Sequence, residues 1–467
     1  MTLLDFSLAR LRARVDSLGA DLADWIARAS KPGNLGIHRN QLGRLETFIV
    51  GTLDTVVDGT PLDPVDPPPG GSVDDLPGLR RGIGSAHLIW DFFRDKLAQR
   101  DMAEYTTHLG AADDLAWGCY EPFLRASAPG SVALREPPLV FYSTDRTPFA
   151  QARTKTLHPP GLDAKDLQFF QAALQRLPVP VIGLPWDIAN RMPETALVGH
   201  ETGHVIAEDL GLAAEAKAAL AAAELSGDRD DARRRVWVSW CDEIFADVIG
   251  VLATGSAYVE GLVLELAGQR DDVRLARIDA GDPGRYPTAA LRVALCQRLL
   301  TGVGVTPTTD WAQTYGPIVG DSRDYAPDVA VVAPALLGRA WTTLAGRQLA
   351  DILPWTAVRE QQAARVGRQL LDGQPPSVPF DVRVWVAAAM HAYRLDAAAY
   401  TKGDLDARLA TMIVNRRQAG VRSTRTLTPG RTLSEEQVRE ADRKAGADLV
   451  RDLGLAGKRG IQNDHDQ

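Results

Sequence analysis

The chain has 467 residues, and its 52 Lys and Arg against 60 Asp and Glu give a formal charge of −8, a balance unlike that of a general nucleic-acid binder, whose affinity rests on neutralising phosphates. With 45% apolar and 24% charged residues the composition is that of an ordinary globular protein, which excludes wholesale disorder, and the length suits two or three units each able to bury a core. Leu4, Leu8, Leu11, Val15, Leu18 and Leu22 recur at helical spacing, and no continuous apolar run follows Asp5, so the first segment reads as an amphipathic helix and not as a signal peptide. Helical patterning continues to about residue 57 and ends in the Pro- and Gly-rich run 61–71, expected as a linker or exposed loop because it can neither continue a helix nor supply ladder donors. It resumes over 84–100 and 112–126. The runs 137–143 and 179–184 predict short strands, each with prolines suited to a sheet edge, and 164–176 between them predicts a helix. From Glu194 the pattern is helical almost to the end, with breaks expected at 281–284, 304–309, 322–327 and 373–379. Ser434, three residues ahead of Gln437, is a capping-box start for a last helix. The expected organisation is an N-terminal helical region (1–130), a central α+β unit (131–345) and a C-terminal helical region with a polar tail (346–467), in an α+β, predominantly α-helical fold.

The most apolar stretch, 244–267, carries Asp247, Glu260 and Glu265, which argues against a membrane span. Three widely spaced cysteines, Cys119, Cys241 and Cys296, make neither a disulfide framework nor a CxxC metal knuckle. These features set the expectation of a cytoplasmic protein without membrane or nucleic-acid partners.

Chemistry concentrates in His200-Glu201-Thr202-Gly203-His204, set among apolar helical residues. Histidines four apart project from one helix face and can reach one metal ion. Glu201 is rotated about 100° from His200, beside that ion and not on it, where it can take a proton from a polarised water and return it to a leaving group. This pattern describes a catalytic zinc site still lacking its third protein ligand. A metzincin continuation would need Gly three and His or Asp six residues after His204, where Ala207 and Leu210 stand. Downstream, Glu243 and Asp247 lie four apart on one helix face among Ile244, Phe245, Val248 and Ile249. Carboxylates in so apolar a segment need partners. Either both pair with arginines, or Glu243 binds the metal and Asp247 accepts the free ring N–H of a ligating histidine.

HExxH followed by ExxxD resembles the signature of the gluzincin zinc metallopeptidases. The resemblance covers about fifty residues, and the 38 residues between His204 and Glu243 make a longer interval than in thermolysin-like enzymes. It implies a zincin-like catalytic unit with a short β-sheet flanked by helical regions, Zn2+ as cofactor, and a peptide or protein substrate. His200, His204 and Glu243 would be ligands, Glu201 the general base and acid, and Asp247 the residue that orients a ligand. It also implies a sheet edge for substrate, a place that 179–184 would take, and an oxyanion donor, for which Tyr286 and Arg292 in the loop-to-helix stretch 282–292 are the candidates. Gly203, costly inside a helix, points to close approach of another element. His391 and Cys241 read as core residues. Two other readings compete: a helical interaction protein with a structural or vestigial zinc centre, its flanks binding a regulatory partner, and a zinc hydrolase of non-peptide bonds.

Overall fold

The computed structural model describes residues 2–31, 33–63, 65, 73–128, 136–151, 162–177, 179–225, 231–267, 278, 283–316, 318, 321–416 and 433–456. Four long helices come first: α1 (Leu3–Ala29), α2 (Arg39–Val57), α3 (Leu76–Ala98) and α4 (Ala103–Ala126). Thr2 and Asp5 close a capping box on α1, and its leucine stripe turns Leu11, Leu18 and Leu22 inward. α3 and α4 begin eight and nine residues earlier than their apolar patterns suggest. Most of the 61–71 run lies outside the described residues.

A three-stranded sheet follows, built from β1 (Leu139–Ser143), β2 (Phe149–Gln151) and β3 (Val181–Pro185), with helix α5 (Ala164–Arg176) between β2 and β3. The spatial order is β1-β3-β2, β1 parallel and β2 antiparallel to β3. The expected edge position for 179–184 is therefore wrong: β3 is the central strand. Its prolines fall where they cost no ladder bond. Pro180 precedes the strand and uses only its carbonyl, accepting from Leu139 N, and Pro185 ends it. β2, which the sequence pattern did not reveal, is an edge strand among the described residues.

The sheet separates two apolar cores. Leu139, Phe141 and Val181 face one core with α1, α2, α3 and α5, while Val140, Tyr142, Ile182 and Leu184 face the other with α4 and the later helices. Burial of both faces explains why β1 and β3 read as unbroken apolar runs.

The second core carries α6 (Val198–Asp209), α7 (Leu212–Ala221), α8 (Asp231–Ser239), α9 (Cys241–Thr254), α10 (Ser256–Ala267) and α11 (Ala289–Gly302). The apolar stretch 244–267 is two helices, because Gly255 takes φ +61° and turns the chain between them. The expected break at 322–327 is instead helical. Ser322–Tyr325 and the 3₁₀ turn Ala326–Asp328 lead directly into Val329–Leu337, and Pro327 sits in a first turn where its missing N–H is harmless. Breaks do occur at 304–309 and 373–379, while residues 281 and 282 lie outside the described residues. The last helix, Glu435–Asp452, starts at the Ser434/Gln437 capping box and packs back on α2, where Arg44 grips Asp442 through two 2.7 Å hydrogen bonds. The fold is α+β and mainly helical, and no helix among the described residues is long and apolar enough to cross a membrane.

Candidate metal centre

α6 and α9 cross at van der Waals distance, and glycine makes this possible. A Cβ on Gly203 would stand 2.8 Å from Ala246 Cα, and one on Gly199 would stand 2.6 Å from Ala253 Cβ. The close approach that Gly203 implied is thus α9 itself. It sets Glu243 and Asp247 opposite the histidines of α6.

His200, His204 and Glu243 converge with their ligand atoms within 4.8 Å of one another, the only such group among the described residues. Nε2 of each histidine is 3.4 Å from Glu243 Oε2. Donors 2.0–2.1 Å from a tetrahedral ion stand about 3.3–3.4 Å apart, so the observed separations suit a small divalent cation, zinc among them. Two atoms support the fit independently. Glu243 Oε1 and Glu201 Oε2 are buried without a hydrogen-bond partner, although unpaired buried carboxylate oxygens are costly.

Behind the ligands, Asp247 is fully buried. Its Oδ1 is 2.9 Å from His200 Nδ1, so the ring nitrogen turned away from the cluster is held, while Nε2 faces Glu243 Oε2 at 3.4 Å and has Arg292 Nη2 3.3 Å away. Tyr258, at the start of α10, donates to the same Oδ1 and lies 3.1 Å from His200 Nδ1. Arg292 on α11 closes the arrangement from the other side, with Nε 2.8 Å from Asp247 Oδ2 and Nη2 2.7 Å from Oδ1. Asp247 therefore meets both a histidine and an arginine, the two partners the sequence left open. Glu243 also has a cation nearby, Arg285 Nε at 3.6 Å from Oε1.

Electrostatics follow from this packing. Burial alone would push the His200 imidazole down, but hydrogen bonds to Asp247 and Glu243 outweigh it and lift it to about 9. Burial likewise opposes ionisation of Glu243 and Asp247. The two histidines hold the first carboxyl well below the usual range, and Arg292 and His200 do so for the second. Among the described residues Glu201, Glu243 and Asp247 stand against Arg285 and Arg292 at the centre, a balance suited to a cation.

A cleft of about 510 Å³ opens over the centre. It is lined by Leu197, Leu262, Glu265 and Leu266, by the loop Arg285–Tyr286–Pro287, and by Thr147 and Pro148 just before β2. Glu201, 5% exposed, lines it beside the histidines. Tyr286 is about half exposed in the same cleft. Burial and the nearby Glu243 push its phenol upward, which keeps it a donor. Arg292 also borders the cleft, but two of its nitrogens are engaged by Asp247.

His391 is buried 3.1 Å from Glu360, and Cys241 is a buried free thiol pushed up to about 12 by burial and Asp242, so neither enters the site. Sequence reasoning missed Tyr258, Arg285 and the β2 edge. The signal for Tyr258 was the glycine at 255, which reverses the apolar stretch and brings its second half back over His200. No known protein family, curated protein or solved structure matches the chain.

Proposed function

We propose that the chain is a zinc-dependent metallopeptidase of the gluzincin kind, with His200, His204 and Glu243 as the protein ligands. The observation that carries this reading is the unpartnered Glu201 carboxylate, buried in a cleft directly beside the three converging ligands. A structural zinc site is ordinarily closed by a fourth protein ligand, whereas three ligands, an open cleft and an adjacent carboxylate favour chemistry.

When bound, zinc supplies Lewis acidity, lowering the pKa of water and polarising a carbonyl. Glu201 accepts the proton of the attacking water at Oε2 and delivers it to the departing nitrogen. The Tyr286 phenol, lining the same cleft, donates to the oxygen that gains charge as the carbonyl becomes tetrahedral. Asp247, itself held by Arg292 and Tyr258, keeps Nδ1 of His200 occupied and so fixes which ring nitrogen faces the cluster. The edge of β2, unpaired among the described residues, with Thr147 and Pro148 lining the cleft, offers main-chain groups to an extended peptide, the role expected for 179–184.

Glu201→Gln tests the reading, because it preserves the volume and the metal ligands while removing the base. Zinc content should stay at the wild-type level while hydrolysis of a mixed peptide library falls by about 10²–10⁴-fold. Undiminished hydrolysis contradicts the assignment of Glu201, and no hydrolysis by the zinc-loaded wild type contradicts the peptidase reading.

A further inference from the structure

α10 contributes more to the cleft than Tyr258. Leu262, Glu265 and Leu266 follow it by four, seven and eight residues, the spacing of one helix face. At 1.5 Å per residue Glu265 lies about 10 Å along α10 from Tyr258 and lines the same cleft as Glu201. Its surroundings there are mixed. Leu197, Leu262, Leu266 and Ile278 give apolar wall, and Glu265 supplies a carboxylate among them.

No hydrogen bond or ion pair joins Glu265 to any described residue. The two arginines of the cleft are directed elsewhere, Arg292 to Asp247 and Arg285 to Glu243. The nearest charges reinforce the imbalance: burial, then Asp187 and Glu201, push the Glu265 carboxyl upward, with Arg292 opposing only in part. A second observation points into the same space, namely the unpartnered oxygen of Glu201, a residue more than nine-tenths buried. Glu265 belongs to no cluster of metal-ligating groups among the described residues, so a second metal does not account for it.

An apolar wall beside a carboxylate that is unpaired among the described residues matches a group with an aliphatic stem and a cationic head. From this geometry, and resting on the peptidase reading above, we infer that Glu265 selects substrates carrying a positive charge near the scissile bond, either a lysine or arginine side chain or a free N-terminal amine. The apolar residues cover the stem, and the carboxylate pairs with the head in a partly desolvated site, where the pair is stronger than at an open surface.

The experiment uses the full-length zinc-loaded protein and decapeptide libraries with Lys, Arg, norleucine or Glu fixed at a central position, each with free and acetylated N-termini. Cleavage by wild type is compared with binding to Glu201→Gln. The expected result is at least a tenfold preference, in kcat/KM and in affinity, for peptides carrying one of these positive charges over acetylated norleucine peptides. Glu265→Gln should reduce it below threefold, and Glu265→Lys should turn it toward Glu peptides. A preference for Lys or Arg over norleucine among acetylated peptides assigns the charge to the side chain, and a preference for free over acetylated norleucine peptides assigns it to the terminal amine. Equal handling of cationic and neutral peptides, or a preference that persists in Glu265→Gln, overturns the inference while leaving the peptidase reading intact. Charge-selective binding without cleavage does the reverse, and peptides neither bound nor cut overturn both.

Discussion

Arg292 holds both carboxylate oxygens of Asp247, at 2.8 and 2.7 Å, in a pair that is almost wholly withdrawn from solvent. The same carboxylate touches His200, so a charge on α11 is linked through α9 to a histidine of the candidate metal group on α6. Removing one member of a buried pair leaves the other uncompensated, at a cost of about 3–5 kcal/mol. Arg292→Met should therefore lower stability in urea by about that amount, and adding Asp247→Leu should recover most of it. Zinc titration of the single variant should show affinity weakened by about 10–100-fold, the usual effect of disturbing a group that orients a ligand. Unchanged stability and unchanged zinc affinity in Arg292→Met would contradict the linkage.

The crossing of α6 and α9 predicts opposite outcomes for one kind of substitution at two glycines. Gly→Ala in a helix gains up to about 1 kcal/mol in propensity. Gly43 in α2 has nothing within 4 Å of a built Cβ, so Gly43→Ala should raise stability by up to about that much. Gly203→Ala places a methyl 2.8 Å from backbone, forcing the helices apart, and should lower stability by about 1–3 kcal/mol. Because α9 carries Glu243, zinc affinity should fall with it. Thermal melts and zinc titrations of both variants check the pair.

The centre was legible in sequence because its geometry is local: His200 to His204 and Glu243 to Asp247 are both one helical turn, and the apolar setting of the acids demanded partners. Gly203 announced the crossing for the same reason, since a glycine inside a helix needs an excuse. What escaped was set by tertiary packing. β2 is three residues long with too little periodicity to register, and without it the central place of β3 was hidden behind prolines that look like edge residues. Arg285 and Tyr258 reach the site only because the chain reverses at Gly255 and the 283–288 loop returns over the cluster. The C-terminal helix was visible from its capping box, but its seat on α2 rests on Arg44 and Asp442, nearly four hundred residues apart.

Lys96 gives a pH-dependent prediction away from the site. It is 8% exposed, donates to Phe92 O at 2.9 Å and lies over the Phe92 ring, and burial pushes its ammonium down to about 7. Between about pH 7 and 10.5 the unfolded chain holds this proton and the folded chain releases it, so stability should rise with pH across that window. Below pH 7 both states are charged and the folded state carries the full burial cost. Lys96→Met should remove this slope and stabilise the protein at pH 7 by an amount on the order of a few kcal/mol. The difference between wild-type and variant urea midpoints, followed from pH 6 to 10, measures it, and a difference that does not shrink as pH rises would contradict the burial argument.

The most direct test of the central claim is X-ray absorption at the zinc edge on protein loaded with one equivalent of the metal. Wild type should show two imidazole nitrogens and oxygen donors at about 2.0–2.2 Å with no sulfur, and His204→Ala should lose one imidazole. Thiolate coordination, or a spectrum unchanged by His204→Ala, would contradict the site built from His200, His204 and Glu243.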